Sequence, residues 1–198
     1  FKEEKFDFGR MFGFAYGEKE NGAVFSHMAV MYANALYKRG FIKEGYKVLK
    51  NLLDSAMDFE NSIMYPGIPE YFDNDGRGLY AYLTGAASWY MLTMITEVFG
   101  VRGELGNLVI KPALLPEQFD KDGKAAIKLN FSGRTLKITI HADIDNIQDN
   151  NGVYNKIIRV ECDGNELESA DLKKVVIMKK RIEEMSCERC HEIDVFIK

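Results

Sequence analysis

Apolar residues in the first half of the chain recur at the spacing of helical turns. From Ser26 to Lys38 they fall three or four residues apart, and Gly40 follows where a helix would end. This spacing predicts a helix with Ser26 as its N-cap. The same pattern predicts a second helix from about Ile42 to Phe59 and a third from Gly85 to Phe99, ending at Gly100. Helices joined by short turns pack antiparallel.

A stretch rich in proline, glycine and aromatic residues separates the second and third predicted helices. It covers residues 62–84 and reads SIMYPGIPEYFDNDGRGLYAYLT. Proline and glycine at this density exclude a regular element, so the stretch is predicted to be a long loop. Long loops in compact domains are usually functional or disordered, and disordered segments rarely carry several aromatic residues. We therefore expect this loop to be functional.

After Gly106 the pattern changes to an alternation of apolar and polar residues. At least five segments alternate in this way: AIKLNF, TLKITIHA, KIIRVEC, KKVVIMKK and EIDVFIK. Short strands separated by turn residues are typical of antiparallel sandwiches and barrels. The predicted fold is therefore α + β in two parts. Helices occupy residues 1–104, and an all-β antiparallel sandwich of jelly-roll type occupies residues 105–198.

Composition and charge exclude several classes of protein. Of the 198 residues, 46% are hydrophobic and 28% are charged, which is typical of a globular protein. The net charge is -4 and no basic stripe occurs, so a nucleic-acid partner is not expected. No apolar run reaches membrane-spanning length, so no membrane partner is expected. Three cysteines fit a reducing compartment, which predicts a cytoplasmic location.

Two of the predicted helices begin with residues suited to holding an anion. His27, in KENGAVFSH, would lie in the first turn of its helix, where free N–H groups and the helix dipole favour negative charge. Thr84 and Gly85, in LTGAASW, would open the third helix with a hydroxyl and a closely approachable backbone. If these helix starts converge, they form a phosphate site. Alternatively, the hydroxyls only cap helices and His27 is an ordinary surface or core residue.

Two further motifs are compatible with more than one chemistry. Glu70 and Tyr71 place a carboxylate beside an aromatic ring, as sugar sites do, although a surface turn would have the same sequence. CERCH, at residues 187–191, matches the haem-attachment pattern and could contribute to a zinc site. We expect neither group. We predict instead a β-hairpin with two free thiols and no metal.

Three segments together resemble the C-terminal part of glycoside hydrolase family ninety-four, the cellobiose phosphorylase family. They are KENGAVFSH, the PEYF segment with DNDGRG, and YLTGAASWYMLTMITEVFGVRGELGNLVIKPALLP. The resemblance covers about residues 15–120 and is looser in the β half. It implies the end of an incomplete (α/α)6 barrel followed by a β-sandwich. It also implies inverting phosphorolysis of a β-glucoside to α-glucose 1-phosphate.

The resemblance also implies roles for individual residues. The phosphate-binding positions match His27, Thr84 and Gly85. The sugar-binding positions match Lys19, Glu20 and Glu70. Inorganic phosphate is the co-substrate and no other cofactor is implied. Because phosphate is already an anion, it needs only orientation below the anomeric carbon, and the second carboxylate of an inverting glycosidase is unnecessary.

The resemblance predicts a part of a larger enzyme rather than a complete one. The chain begins with Phe1 and carries neither a signal peptide nor the family's general acid, an Asp expected upstream. We therefore expect no catalytic residue in this chain and no activity from it alone. The PEYF segment departs from the cellobiose-specific pattern and favours other β-glucosides or β-1,2-oligoglucans. The full-length protein could be a homodimer. The alternative is a non-catalytic carbohydrate-binding or structural module left after loss of the barrel.

Overall fold

The computed structural model contains two compact units, Phe1–Thr93 and Met94–Lys198. The residues that it describes are 7, 9–65, 67–81, 85–142, 156–167 and 173–198. Both helices and sheets are present, which confirms the predicted α + β class. The barrel, the jelly-roll sandwich and the domain ranges 1–104 and 105–198 stay predictions. No described helix is long and apolar enough to cross a membrane.

Helices form most of the first unit. Among the described residues they are α1 (Ser26–Lys38), α2 (Ile42–Met57), α3 (Phe59–Ser62) and α4 (Gly85–Thr93). α1 packs against both α2 and α4. Val30 and Ala33 of α1 and Ala86 of α4 are completely buried, because they lie on the apolar stripes of their helices. The first two predicted helices therefore form, although Asp58 ends α2 before Phe59 and accepts a hydrogen bond from the Asn61 N–H in α3.

The start of α1 differs from the prediction. Phe25, not Ser26, occupies the N-cap position, and Ser26 is the first helical residue. The chain enters α1 directly from strand β1 (Val24–Phe25), so the Ser26 N–H donates to the Glu70 carbonyl at 2.9 Å. A backbone hydrogen bond to Glu70 thus takes the place of a side-chain cap. The prediction of Ser26 as N-cap is wrong.

A small antiparallel sheet crosses the stretch predicted to be a loop. β2 (Tyr71–Phe72) pairs with both β1 and β3 (Gly78–Leu79). Asp73 fixes the turn between β2 and β3, since its Oδ1 accepts hydrogen bonds from the N–H groups of Asp75 and Arg77, both at 2.9 Å. Two-residue strands are too short to produce a visible alternation, which is why the sequence pattern indicated only a loop.

The second unit begins with a π-helical turn, Met94–Val98, where the sequence predicted a continuous α-helix to Phe99. β4 (Val101–Glu104) and β5 (Asn107–Ile110) follow, and β10 (Val175–Ile177) completes an antiparallel sheet in the order β10-β5-β4. Gly100 has φ 67°, and a Cβ there would lie 1.8 Å from the Lys111 carbonyl oxygen. Only glycine fits this position, as the predicted helix end required.

A larger sheet forms the rest of the second unit, in the order β6-β7-β11-β8-β9. Its strands are β6 (Lys124–Phe131), β7 (Arg134–Ala142), β8 (Ile157–Cys162), β9 (Asn165–Glu166) and β11 (Cys190–Ile197). One face is apolar and is fully buried on the central strands, where its residues are Leu136, Ile138, Ile140, Ile193, Val195 and Ile197. The alternation seen in the sequence produces this two-sided sheet.

Two features of the second unit correct the prediction of an all-β antiparallel domain. β7 and β11 are parallel, although their other neighbours in the sheet are antiparallel. About fifty residues separate them, which allows the crossover that a parallel pair needs. A short helix, α5 (Lys179–Glu184), lies within this connection and ends shortly before β11.

Candidate functional site

The starts of α1 and α4 meet at His27 and Gly85. His27 lies in the first turn of α1, and Gly85 is the first residue of α4. A Cβ added to Gly85 would lie 2.5 Å from His27 Cε1 and 2.7 Å from Nδ1. The imidazole therefore rests on the Gly85 backbone, and any side chain at this position would displace it.

Two side-chain atoms at the start of α1, Ser26 Oγ and His27 Nε2, are buried and have no hydrogen-bond partner among the residues that the structure describes. Buried polar atoms normally have partners, so each unpaired atom calls for an explanation. They lie in the helix turn whose backbone N–H groups have no acceptor within the helix. When Nε2 carries its proton, His27 can donate a hydrogen bond to an anion there.

Predicted residue Thr84 lies outside the described residues. Its proposed partners, His27 and Gly85, are described and are in contact. The convergence of the two helix starts is therefore a geometric finding. The phosphate-binding role of all three residues stays a prediction.

Aromatic rings extend from His27 towards Lys19. The His27 ring meets Phe25 edge-on at 6.0 Å between centroids, and Phe25 stacks on Tyr71 at 4.6 Å. Tyr71 then meets Tyr80 at 6.0 Å, and Lys19 Nζ lies 4.6 Å from the centre of the Tyr80 ring. We call Phe25, Tyr71 and Tyr80 the aromatic cluster. It connects a predicted phosphate-binding residue with a predicted sugar-binding one.

The position of Lys19 is fixed by its surroundings. Its Nζ also lies 5.5 Å from the centre of the Phe14 ring, so two rings hold the ammonium by cation–π attraction. Its backbone has φ 42°, a left-handed conformation that lysine rarely adopts. Backbone strain of this kind occurs often at ligand sites, which makes it consistent with a functional lysine.

Glu70 and Glu20 occupy different surroundings. The Glu70 carbonyl accepts from the Ser26 N–H at 2.9 Å, and its own N–H donates to the Tyr80 carbonyl at 3.5 Å. Glu70 is thereby attached to both the start of α1 and the aromatic cluster. Glu20 instead lies 3.8 Å from Arg10, Oε1 to Nε, in a partly exposed ion pair.

The structure adds residues that the sequence pattern did not indicate. Phe14, Phe25 and Tyr80 surround Lys19 and His27, and Tyr80 Oη donates to Glu18 Oε2 at 3.5 Å. The aromatic content of residues 62–84 was the available signal for Tyr80. No spacing rule links Phe14 or Phe25 to that stretch, because strand pairing and ring packing bring them there.

The CERCH segment does not form the predicted β-hairpin. It connects α5 to β11, and Cys187 and Cys190 are exposed free thiols. His191 is buried, with Nδ1 2.6 Å from Asp163 Oδ2 and Nε2 3.1 Å from the Ser186 carbonyl. Both ring nitrogens are occupied, so His191 is not available to a metal. Among the described residues no group of three or more His, Cys, Asp or Glu side chains could hold a metal ion.

Comparison with known proteins finds a distant similarity to a phosphorylase. The chain is 26% identical over 147 residues to the cellobionic acid phosphorylase of Neurospora crassa. The alignment covers 68% of this chain and 18% of that protein, so the chain spans less than a fifth of the relative's length. No protein-family model matches the chain. The match supports a distant, phosphorylase-like relation.

Proposed function

We propose that this chain is the C-terminal part of an inverting glycoside phosphorylase. The enzyme would cleave a β-linked glucoside or oligoglucan with inorganic phosphate and release α-glucose 1-phosphate. The observation that carries the proposal is the contact of His27 with Gly85 at two helix starts, with His27 Nε2 buried and unpartnered. The phosphorylase relative supports the same class of reaction.

Phosphate would bind where α1 and α4 begin. His27 Nε2–H would donate to one phosphate oxygen, and the first N–H groups of α4 would donate to others with the help of the helix dipole. Gly85 has no Cβ to keep the anion away from the backbone, and Thr84 would add its hydroxyl. These donors orient phosphate for attack on the anomeric carbon, and orientation is the main requirement for a nucleophile that is already charged.

The sugar would bind along the aromatic cluster. Lys19 would donate hydrogen bonds from its ammonium to hydroxyls of the transferred glucosyl unit, with Phe14 and Tyr80 limiting its motion. Glu20 and Glu70 would accept hydrogen bonds from hydroxyls of the acceptor and the transferred sugar, respectively. Aromatic rings suit the apolar faces of sugars, which favours this side of the site.

A carboxylic acid in a longer parent protein would protonate the leaving oxygen. The exposed apolar side chains on the helices support such a parent, because they would pack against neighbouring helices of an (α/α)6 barrel. In α1 and α4 these side chains are Met28, Met31, Tyr32, Met91 and Leu92. The small share of the relative that the chain covers supports the same proposal. A cytoplasmic location and a β-sandwich second domain belong to it as well.

The test is phosphorolysis by the full-length parent on a panel of β-linked glucose disaccharides, β-1,2-oligoglucans and a disaccharide ending in an aldonic acid. We expect release of α-glucose 1-phosphate from at least one of them. His27→Ala should lower kcat/KM by about 10²–10³, the usual loss for one donor to a developing or bound anion. His141→Ala is the matched control, since His141 pairs with Asp194 on the large sheet.

Three outcomes would contradict the proposal. One is near-normal activity of the His27→Ala enzyme. Another is an equal loss in the His141→Ala control, which would indicate general damage instead of a phosphate site. The third is oligosaccharide binding by the parent without phosphorolysis, which would favour the non-catalytic carbohydrate-binding module.

A further inference from the structure

Cys187 and Cys190 lie in the connection between α5 and β11, in the second unit, and have no part in the proposed phosphorylase site. Both are exposed free thiols. Two residues separate them, and the backbone bends at Cys187, Glu188 and Arg189. The chain turns here, and such a turn brings residues three apart closer together than an extended chain would. A disulfide needs Cα atoms within about 7 Å, which a turn of this length can provide.

Hydrogen bonds hold both sides of this turn on the sheet. Before it, the Met185 carbonyl accepts from Arg134 Nε at 3.3 Å and the Ser186 carbonyl accepts from His191 Nε2 at 3.1 Å. After it, Cys190 and His191 are paired with β7 in the large sheet. The two cysteines are therefore attached to one framework, and their separation does not depend on motion between the units.

The residues between and beside the cysteines are also fixed. Arg189 donates to Asp163 Oδ2 at 2.8 Å, and His191 Nδ1 lies 2.6 Å from the same oxygen. The N–H of Glu192 donates to Asp163 Oδ1 at 3.0 Å. One carboxylate thus holds three of the four residues from Arg189 to Glu192. Glu188 is held only locally, since its N–H donates to Ser186 Oγ at 3.1 Å, so residues 187 and 188 can adjust when the thiols approach each other.

We propose that Cys187 and Cys190 form a reversible intramolecular disulfide by exchange with a small-molecule disulfide. One thiolate attacks the small disulfide, forms a mixed disulfide and releases the first small thiolate. The second cysteine thiolate attacks the protein sulfur of that mixed disulfide and releases the second small thiolate. Two protein thiols are oxidised to one disulfide, and one small disulfide is reduced to two thiols.

Cys162 provides an internal comparison. It is buried on β8, and burial raises the pKa of its thiol above the ordinary value. A buried thiol with a raised pKa is a poor nucleophile and is protected from exchange. The proposed site therefore comprises two of the three cysteines, and Cys162 stays reduced under the same conditions.

The experiment equilibrates the folded chain with mixtures of reduced and oxidised glutathione, blocks the remaining thiols with an alkylating reagent and digests the protein with trypsin. Trypsin cleaves after Arg189, between the two cysteines. A Cys187–Cys190 disulfide therefore joins the peptides of residues 182–189 and 190–198, and reduction separates them. Cys162 lies in a third peptide, residues 160–173, so other pairings give different masses.

We expect the joined pair of peptides as the main oxidised product, with Cys162 alkylated. Cys187→Ser and Cys190→Ser should each accumulate the glutathione mixed disulfide at least about tenfold more than the unsubstituted chain, because no second thiol expels the glutathione. Cys162→Ala should behave like the unsubstituted chain. A circular dichroism spectrum identical to that of the reduced chain would show that each oxidised protein remains folded.

Two results would overturn the proposal. One is stable glutathione adducts on Cys187 or Cys190 in the unsubstituted chain without the joined peptides. The other is a linked product that contains the Cys162 peptide, or one that appears only after the protein has unfolded.

Discussion

The two units of the chain differ in how completely their buried polar side chains are hydrogen-bonded. In the first unit, Ser26 Oγ, His27 Nε2 and Tyr37 Oη are buried and find no hydrogen-bond partner within the described part of the chain. In the second unit, the buried His191 uses both ring nitrogens. Unpaired buried polar atoms cost stability, so they persist where another requirement outweighs that cost. The difference is consistent with the site proposed at the start of α1.

The two units also differ in how much of their apolar surface is exposed. The described helices of the first unit expose large apolar side chains on several faces, among them Met28, Tyr32, Met57, Met91 and Leu92. The large sheet of the second unit buries the apolar residues of its central strands, β7 and β11. An exposed apolar helix face usually marks a contact surface. The exposed apolar side chains of the first unit are consistent with the proposed barrel, in which further helices would cover them.

Among the substitutions that test this comparison, Ile138→Ala should cause the largest loss of stability. Ile138 is completely buried at the centre of β7, so truncation should lower the free energy of unfolding of the second unit by about 2–5 kcal/mol. Urea denaturation followed by circular dichroism measures the loss. The control is Lys137→Ala, an exposed neighbour whose ion pair with Glu192 spans 3.3 Å and should contribute no more than about 1 kcal/mol.

Trp89 makes the two units distinguishable in this experiment. It is the sole tryptophan of the chain and lies in α4 of the first unit, so its fluorescence reports on that unit. The Ile138→Ala transition should appear in the β-sheet signal and leave the Trp89 transition in place. Equal shifts of both signals would show that the units unfold as one.

Asp163→Asn should have the next largest effect. The buried His191 would lose its charged partner, and we expect a loss of about 2–3 kcal/mol in the second unit, below the cost for a fully buried pair because Asp163 is partly exposed. Thermal or urea unfolding at pH 7 measures it. Glu166→Gln, an exposed neighbour on β9, is the matched control and should be neutral.

The same variant should change the acid dependence of stability. Burial alone would raise the pKa of Asp163, but hydrogen bonds from His191 and the Glu192 N–H, with the charges of His191 and Arg189, outweigh burial and hold it below 3.8. The unfolded state therefore binds more protons than the native state just below pH 4. The stabilisation is present above this pH and is lost as the pH falls through the native pKa. Asp163→Asn should remove this part of the acid destabilisation.

Tyr37→Phe should have a smaller effect of opposite sign. The Tyr37 hydroxyl is buried without a partner, so its removal should leave the first unit unchanged or stabilise it by up to about 1 kcal/mol. Asn34→Ala is the contrasting variant, since it breaks the 3.1 Å hydrogen bond from Asn34 Nδ2 to Thr93 Oγ1 and should cost about 1–3 kcal/mol. Trp89 fluorescence during urea unfolding measures both. A destabilising Tyr37→Phe would mean that the hydroxyl has a partner in solution.

Met91→Lys should have the smallest effect on this chain and a larger one in the proposed parent. Met91 is 61% exposed, so the change should be within about 0.5 kcal/mol here. In a full barrel it would bury a charge and cost at least about 2 kcal/mol. Met178→Lys, at 60% exposure in the second unit, is the matched control and should be neutral in both proteins. Equal, small effects of Met91→Lys in both would contradict the proposed helix contacts.

Periodicity predicted the long elements because their local pattern and their packing agree. α1 and α2 begin within one residue of their predicted starts, and each of the five alternating segments contains a strand. The contact between His27 and Gly85 depended on both helix starts being correct, which is why a motif at each start was enough to suggest it. The sequence pattern was therefore sufficient to predict one part of the candidate site, the contact between the two helix starts.

The remaining features depend on long-range packing, which a local pattern does not contain. The two-residue strands β1, β2 and β3 exist because they pair with one another, and none has a recognisable pattern alone. The parallel pairing of β7 with β11 depends on the path of the connection between them. Phe14 and Phe25 reach Lys19 and His27 through tertiary contacts, so no sequence spacing could assign them to the site.

The position of β11 in the large sheet has a consequence for the order of folding during synthesis. β6 and β7 form one local hairpin, β8 and β9 form another, and β11 lies between them. The two hairpins cannot join until residues 190–197 have left the ribosome, so both must wait with an unpaired strand edge. In the first unit, α1 and α2 are neighbours in sequence and can pair early, although the contact of α1 with α4 must wait for residues 85–93. Chaperone binding during translation should therefore be concentrated on the hairpins of the second unit. Once folded, however, that unit exposes fewer large apolar side chains than the first, among the residues that the structure describes.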